Sequence, residues 1–261
     1  MDEDSFGTYV TVRDDAPFMV VFNDSAAAEA PDDRRTQLLR IRLPLRESNA
    51  IGWPDVDELN ALDAIEQAID AVVVQPLDAR FVGRRSGQGA REIFYYFVPD
   101  KWDPALHRKI AAVAEGYQTA ASQEPDPDWS SFGELLYPTH LDQKMIGAEE
   151  VLDNLAQHGD DGEAERDIRY WIYFPTAEAR AEAAKKCVML GYTEFDENDV
   201  DPAEDDTGLP FGLSVRRDSP ANFWTLRDAI SELLEVAQEL GGDYDGFESA
   251  VVPADSDDSD E

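Results

Sequence analysis

Between residues 148 and 252 the spacing of apolar residues switches repeatedly between the 3.6-residue period of a helix and the two-residue period of a strand, and that order constrains the fold most. Residues 148–157 read as a helix that stops at His158-Gly159, followed by an acidic loop over 160–165. Residues 168–174 alternate as a strand. Thr176 caps a helix over 177–190, which Gly191 ends. Residues 192–196 and 211–217 read as two more strands. Phe211, Leu213 and Val215 share one face of the latter. Ser219-Pro220 is expected to open the longest helix, with Phe223, Leu226, Ile230, Leu233 and Leu240 at helical spacing. Gly241-Gly242 ends it, and a short strand is expected around 243–252.

The first half follows the same grammar less cleanly. Residues 9–13 and 17–23 predict two strands joined by Asp14-Asp15-Ala16, then a polar loop over 25–35. Residues 38–45 alternate as a half-buried strand. Residues 55–73 repeat apolar positions at spacings of three and four, and 81–86 with 92–98 form a hairpin across Gly87-Gln88-Gly89. Asp103-Pro104 reads as the start of another helix. A Pro/Asp loop over 123–128 leads to the aromatic segment 129–137. The fold class expected is α+β in two modules. The C-terminal one is ferredoxin-like, αβαββα then a short β, and the N-terminal one is an antiparallel sheet with two helices. The domains expected are 1–142, 143–252 and a disordered acidic tail over 253–261. Residues 92–99 and 167–175, both aromatic strands closed by proline and followed by a helix, suggest two modules of similar architecture.

At 43% hydrophobic and 10% aromatic, the chain is too apolar for disorder and should build a packed core. No apolar run is long enough to span a membrane. The acidic start MDEDSFGTYV lacks a secretory pattern, so a cytoplasmic protein is expected. The single cysteine, Cys187, cannot form an internal disulfide and reads as a small core residue. The net charge of −35 has two readings: a nucleic-acid mimic or bait for a basic partner, or a surface adapted to a salt-rich, halophilic cytoplasm. The acids are dispersed through helices, loops and tail, and Arg largely replaces Lys. Both features favour the salt-adapted reading.

No phosphate loop, nucleophile elbow or Rossmann glycine pattern occurs. The acidic run 196–206 fails a calcium-loop pattern at Val200 and Asp201. His107, His140 and His158 stand apart without cysteine partners, so no metal and no cofactor is expected.

Residues 148–252 carry a resemblance. The pieces are Leu155-Ala-Gln-His-Gly-Asp-Asp161, Arg169-Tyr-Trp-Ile-Tyr-Phe174, a helix ending Leu190-Gly-Tyr192, the following long helix, and Gly241-Gly-Asp-Tyr-Asp-Gly-Phe-Glu248. In this order they resemble the regulator of ribonuclease E activity B family (RraB, a ribonuclease E inhibitor), with Phe247 where the family has Trp. The N-terminal half, through Trp129 and Leu135-Leu-Tyr-Pro138, resembles a domain-of-unknown-function family that often precedes it. The resemblance implies a non-catalytic regulator that binds a protein partner, a ribonuclease or RNA-processing complex, without direct nucleic-acid or membrane contact. The candidate contact residues are Trp171, Tyr173, Tyr244, Asp245, Gly246 and Phe247. Two other readings of the signature Tyr244–Phe247 and of the aromatic strand stand beside this one. The signature could pin the last strand to the core. The second face of the aromatic strand could stack RNA bases or pack on the other module or a second copy. Two further functions stay open: a metal-dependent hydrolase using clustered carboxylates, and an acidic nucleic-acid mimic.

Overall fold

The computed structural model describes residues 4–201 and 207–254. The acidic tail at 255–261 and positions 202–206 of the acidic run lie outside the described residues. The chain forms two compact units, Met1–Pro138 and Thr139–Glu261.

The first unit opens with β1 (Phe6–Arg13) and β2 (Ala16–Asn23). Asp14 and Asp15 both take positive φ between them, as a two-residue turn matching strand twist requires. Next come α1 (Asp24–Glu29), β3 (Gln37–Pro44), α2 (Val56–Leu77), β4 (Arg80–Gly87) and β5 (Ala90–Phe97). The unit ends with α3 (Leu106–Val113), β6 (Ala120–Pro125) and α4 (Ser130–Leu135). The six strands pair antiparallel in the order β1-β2-β4-β5-β3-β6. Leu39, Ile41 and Leu43 of β3 and Ile93, Tyr95 and Phe97 of β5 bury against Leu62, Ile69 and Val73 of α2 and Leu106 and Ile110 of α3. The opposite face receives the segment around α4: Trp129 stacks on Tyr96 at 4.1 Å, and Tyr9 Oη donates to the Leu136 carbonyl at 2.9 Å. Covered on both sides, β5 is buried along its whole length.

Several boundaries differ from the sequence reading. Residues 25–35 are not all loop, because the Asn23 side chain accepts from the Ala26 amide and starts α1. The Asp103 carboxylate accepts from Ala105, so Asp103-Pro104 forms the turn before α3 rather than its first turn. Part of the expected Pro/Asp loop is the edge strand β6. Its small and polar residues, Ala-Ala-Ser-Gln-Glu-Pro, carry no apolar alternation for a sequence reading to find, and Pro125 sits at its end where no donor is needed.

The second unit consists of α5 (His140–Gln157), β7 (Glu165–Phe174), α6 (Ala177–Met189), β8 (Thr193–Asp199), β9 (Phe211–Pro220), α7 (Phe223–Glu239) and β10 (Asp243–Ser249). Its antiparallel sheet runs β10-β7-β9-β8. Helix α5 begins at His140, well before residue 148, because Thr139 and Asp142 close a reciprocal capping box. Ser219-Pro220 ends β9 in register with Glu165 and Arg166, and Asn222 caps α7. Nor is α7 the longest helix, since α2 has 22 residues against its 17.

Counting from its first strand, the second unit is βαββαβ with strand order 4-1-3-2, the ferredoxin-like arrangement. The first unit contains the same succession in β3-α2-β4-β5-α3-β6, also ordered 4-1-3-2, with the β1–β2 hairpin added beside β4. The two aromatic strands that echo each other are not equivalent, however: β5 is third in its succession and β7 is first. Both occupy sheet centres, which is why both are aromatic and apolar.

Candidate partner-binding site

Strand β7 sorts its side chains by strict alternation. Ile168, Tyr170, Ile172 and Phe174 are fully buried against the helices. Asp167, Arg169, Trp171 and Tyr173 point to the other face, where Arg169, Trp171 and Tyr173 are half-buried. Trp171 sits opposite Ser214 of β9 and Gly246 of β10; Tyr173 sits opposite Gly212 and Asp243. Gly212 is required there. A Cβ would lie 2.0 Å from the Asn198 carbonyl oxygen and 2.8 Å from Tyr173 Cε1, so glycine lets β8 close on β9 and the Tyr173 ring lie across the strand.

Charged residues surround this aromatic pair. Arg169 pairs with Asp196 at 3.3 Å, and Arg216 pairs with Asp167 at 2.9 Å and Glu194 at 3.0 Å. Arg166, Asp167, Arg169, Arg216 and Glu248 line a cavity of about 450 Å³ at one end of the face. The carboxylates Asp167, Glu194, Asp196 and Glu248 exceed the two surface arginines, so the aromatic pair has an acidic border. Arg169 and Arg216 escaped the sequence reading, although Arg169 stands at the same alternation as Trp171.

The Tyr244–Phe247 signature behaves differently. The register slips between Tyr244 and Gly246, so Asp245 is the extra residue of a bulge. Without it, Tyr244 and Phe247, three apart, would face opposite ways. With it both enter the core, Tyr244 opposite Ile172 and Phe247 opposite Tyr170, their exposures 2% and 9%. Burial pushes the Tyr244 hydroxyl pKa far up. Gly246 serves the bulge without a left-handed φ. The six candidate residues therefore do not form one surface. Trp171 and Tyr173 lie on the face away from the helices, Tyr244 and Phe247 lie inside, Asp245 is exposed, and Gly246 flanks Trp171. The signature does have an accessible side: with Gln143, Lys144, Gly147, Ala148 and Val151 of α5 it lines a groove of about 260 Å³ beside the edge strand β10. Lys144 bonds Asp243 at 2.6 Å at the end of that groove.

Cys187 is fully buried, and burial raises its pKa to about 11, which keeps the thiol protonated and poorly nucleophilic. Among the described residues no three His, Cys, Asp or Glu side chains converge as metal ligands.

A family model described as Regulator of ribonuclease activity B (RraB) matches residues 145–249, and another, Family of unknown function (DUF695), matches residues 4–137. No curated protein matches. A crystal structure of an unknown protein from Galdieria sulphuraria is similar over 83% of this chain and 99% of that one, at 14% identity and a TM-score of 0.25; an overlap that low carries no argument.

Proposed function

We propose, for a chain that belongs to the family of unknown function DUF695 and carries a regulator-of-ribonuclease-activity-B region after it, that it is a non-catalytic regulator which binds a ribonuclease or RNA-processing enzyme. The observation that carries this reading is the match over residues 145–249, which begins inside α5 and runs through to the last residue of β10. The contact we assign is the face of Trp171 and Tyr173. An indole and a phenol ring bordered by carboxylates suit a basic segment of the partner, through cation–π contact and electrostatic steering. Its action is assigned to the cytoplasm; among the described residues no helix is long and apolar enough to cross a membrane.

The test is capture of a purified ribonuclease from the same cell by the full chain, with RNA cleavage measured in parallel. Trp171→Ala should weaken capture about thirtyfold, a hot-spot aromatic of about 2 kcal/mol, and relieve inhibition, while the melting curve stays in place. Undiminished capture by the Trp171→Ala, Tyr173→Ala double variant would move the contact elsewhere. RNA turnover by the chain alone, abolished by one carboxylate-to-amide change, would overturn the non-catalytic reading.

A further inference from the structure

Several arginines of this chain have two carboxylates each. Arg35 takes Asp32 and Asp78, Arg80 takes Asp4 and Glu29, Arg180 takes Glu197 and Asp199, and Arg216 takes Asp167 and Glu194. One place inverts the ratio. On the face of the first unit's sheet away from α2 and α3, Arg40, Arg42 and Arg85 have Glu92 as their one carboxylate among the described residues. Arg42 of β3 and Arg85 of β4 both sit in register with Glu92 of β5, and Arg40 sits opposite Phe94. Arg40 bonds Glu92 Oε1 through Nε, at 3.0 Å, and Nη2; Arg85 Nε donates to Oε2 at 2.6 Å; Arg42 Nε remains 4.0 Å from Oε1. Both carboxylate oxygens are thus engaged, and two positive charges are left over in a chain of net charge −35.

The surplus is held in place and reaches solvent. The Arg85 guanidinium lies 4.9 Å from the Phe18 ring centre, and that of Arg40 lies 5.8 Å from that of Phe94. The Arg42 side chain is 48% exposed and that of Arg40 is 38% exposed. Exposed Ser122 of β6 sits directly beside Arg40 and offers a hydroxyl donor, with Glu124 two residues farther along opposite Leu38. Burying one glutamate requires about one cation; a second and third add mutual repulsion unless an anion joins them. Guanidinium forks match phosphoryl oxygens bidentately.

We propose that Arg40, Arg42, Arg85 and Ser122 form a binding site for a single compact phosphoryl group, as inorganic phosphate or the phosphate of a mononucleotide. A polynucleotide is disfavoured on two grounds. The net charge repels an extended polyanion. The rings of Phe18 and Phe94 are buried and carry arginines, so they offer no exposed platform for successive bases. This site stands apart from the ribonuclease reading and survives its failure.

Calorimetric titration of the full chain with inorganic phosphate, a 5′-mononucleotide and a single-stranded RNA oligonucleotide tests it. Phosphate and mononucleotide should bind saturably at one site, with RNA no tighter than the mononucleotide. Arg42→Ala, the arginine least engaged with Glu92, should weaken binding at least about tenfold with an unchanged melt, the loss of one charge-assisted contact. Glu92→Gln should tighten binding, since the local charge rises, even as it lowers the melting temperature; a purely structural ion network would change only the melt. No saturable binding, indifference to Arg42→Ala, or affinity that climbs with RNA length would each overturn the proposal.

Discussion

Replacing Phe247 by Ala tests the bulge that sets the phase of β10. The ring is 9% exposed and lies 6.3 Å from the Tyr170 ring within the second unit's core. Full burial of a phenylalanine contributes about 1.5–3 kcal/mol in transfer, and truncation with an unrelaxed cavity costs about 3–5 kcal/mol. Here the ring also forms one wall of the groove beside α5, so water can enter part of the void. The lower end, about 3 kcal/mol, is expected. For a unit of this size that corresponds to a fall in melting temperature of roughly 12 °C. Urea and thermal unfolding measure it, with amide exchange of β7 and β10 followed by mass spectrometry so that the second unit is read by itself. Phe247→Trp should cost under about 1 kcal/mol, because the larger ring can extend into the groove. A loss below about 1 kcal/mol for Phe247→Ala would refute the phasing, since it would mean that the ring does not carry the core contact.

The two glycines flanking the aromatic pair should behave oppositely. Gly212→Ala places a Cβ against the Asn198 carbonyl and should destabilise by about 1–3 kcal/mol, whereas Gly246→Ala, with nothing within 4 Å, should be nearly neutral in urea unfolding. Asp126 is buried, and burial pushes its carboxyl pKa up. Bonds from Tyr96 Oη at 2.6 Å, Ser130 Oγ at 2.7 Å and the Ser131 amide at 2.9 Å outweigh that and hold it at about 2. Since the folded pKa lies below the ordinary 3.8, its contribution is full above about pH 4 and is lost as pH falls toward 2. Acid titration of Asp126→Asn should show that step removed and a lower plateau by about 2–3 kcal/mol; identical acid profiles would refute it. A surface adapted to salt should gain melting temperature between about 0.1 M and molar KCl, where the screening length contracts from about 10 Å to about 3 Å; a flat or falling response would tie the acids to a specific partner.

The sequence alone determined what depends on local periodicity and end chemistry. Thr176 and Gly191 fixed α6, alternation fixed β7 and β9, and the order of elements in the second unit was enough to specify 4-1-3-2. It also carried the family likeness, because the signature residues are contiguous. The start of α5 is legible in the letters as well, through the capping box of Thr139 and Asp142 and the helical spacing of Leu141, Met145 and Ala148. The tertiary structure decided whatever rests on which strand lies beside which. Strand β6 exists because β3 offers it an edge, not because its residues favour a strand. The signature splits between core and surface because one extra residue, Asp245, rephases β10 against β7, and a two-residue period cannot announce where it will slip. Arg40, Arg42, Arg85 and Glu92 lie on three different strands, so their shared carboxylate and its surplus charge come into being only when those strands pair.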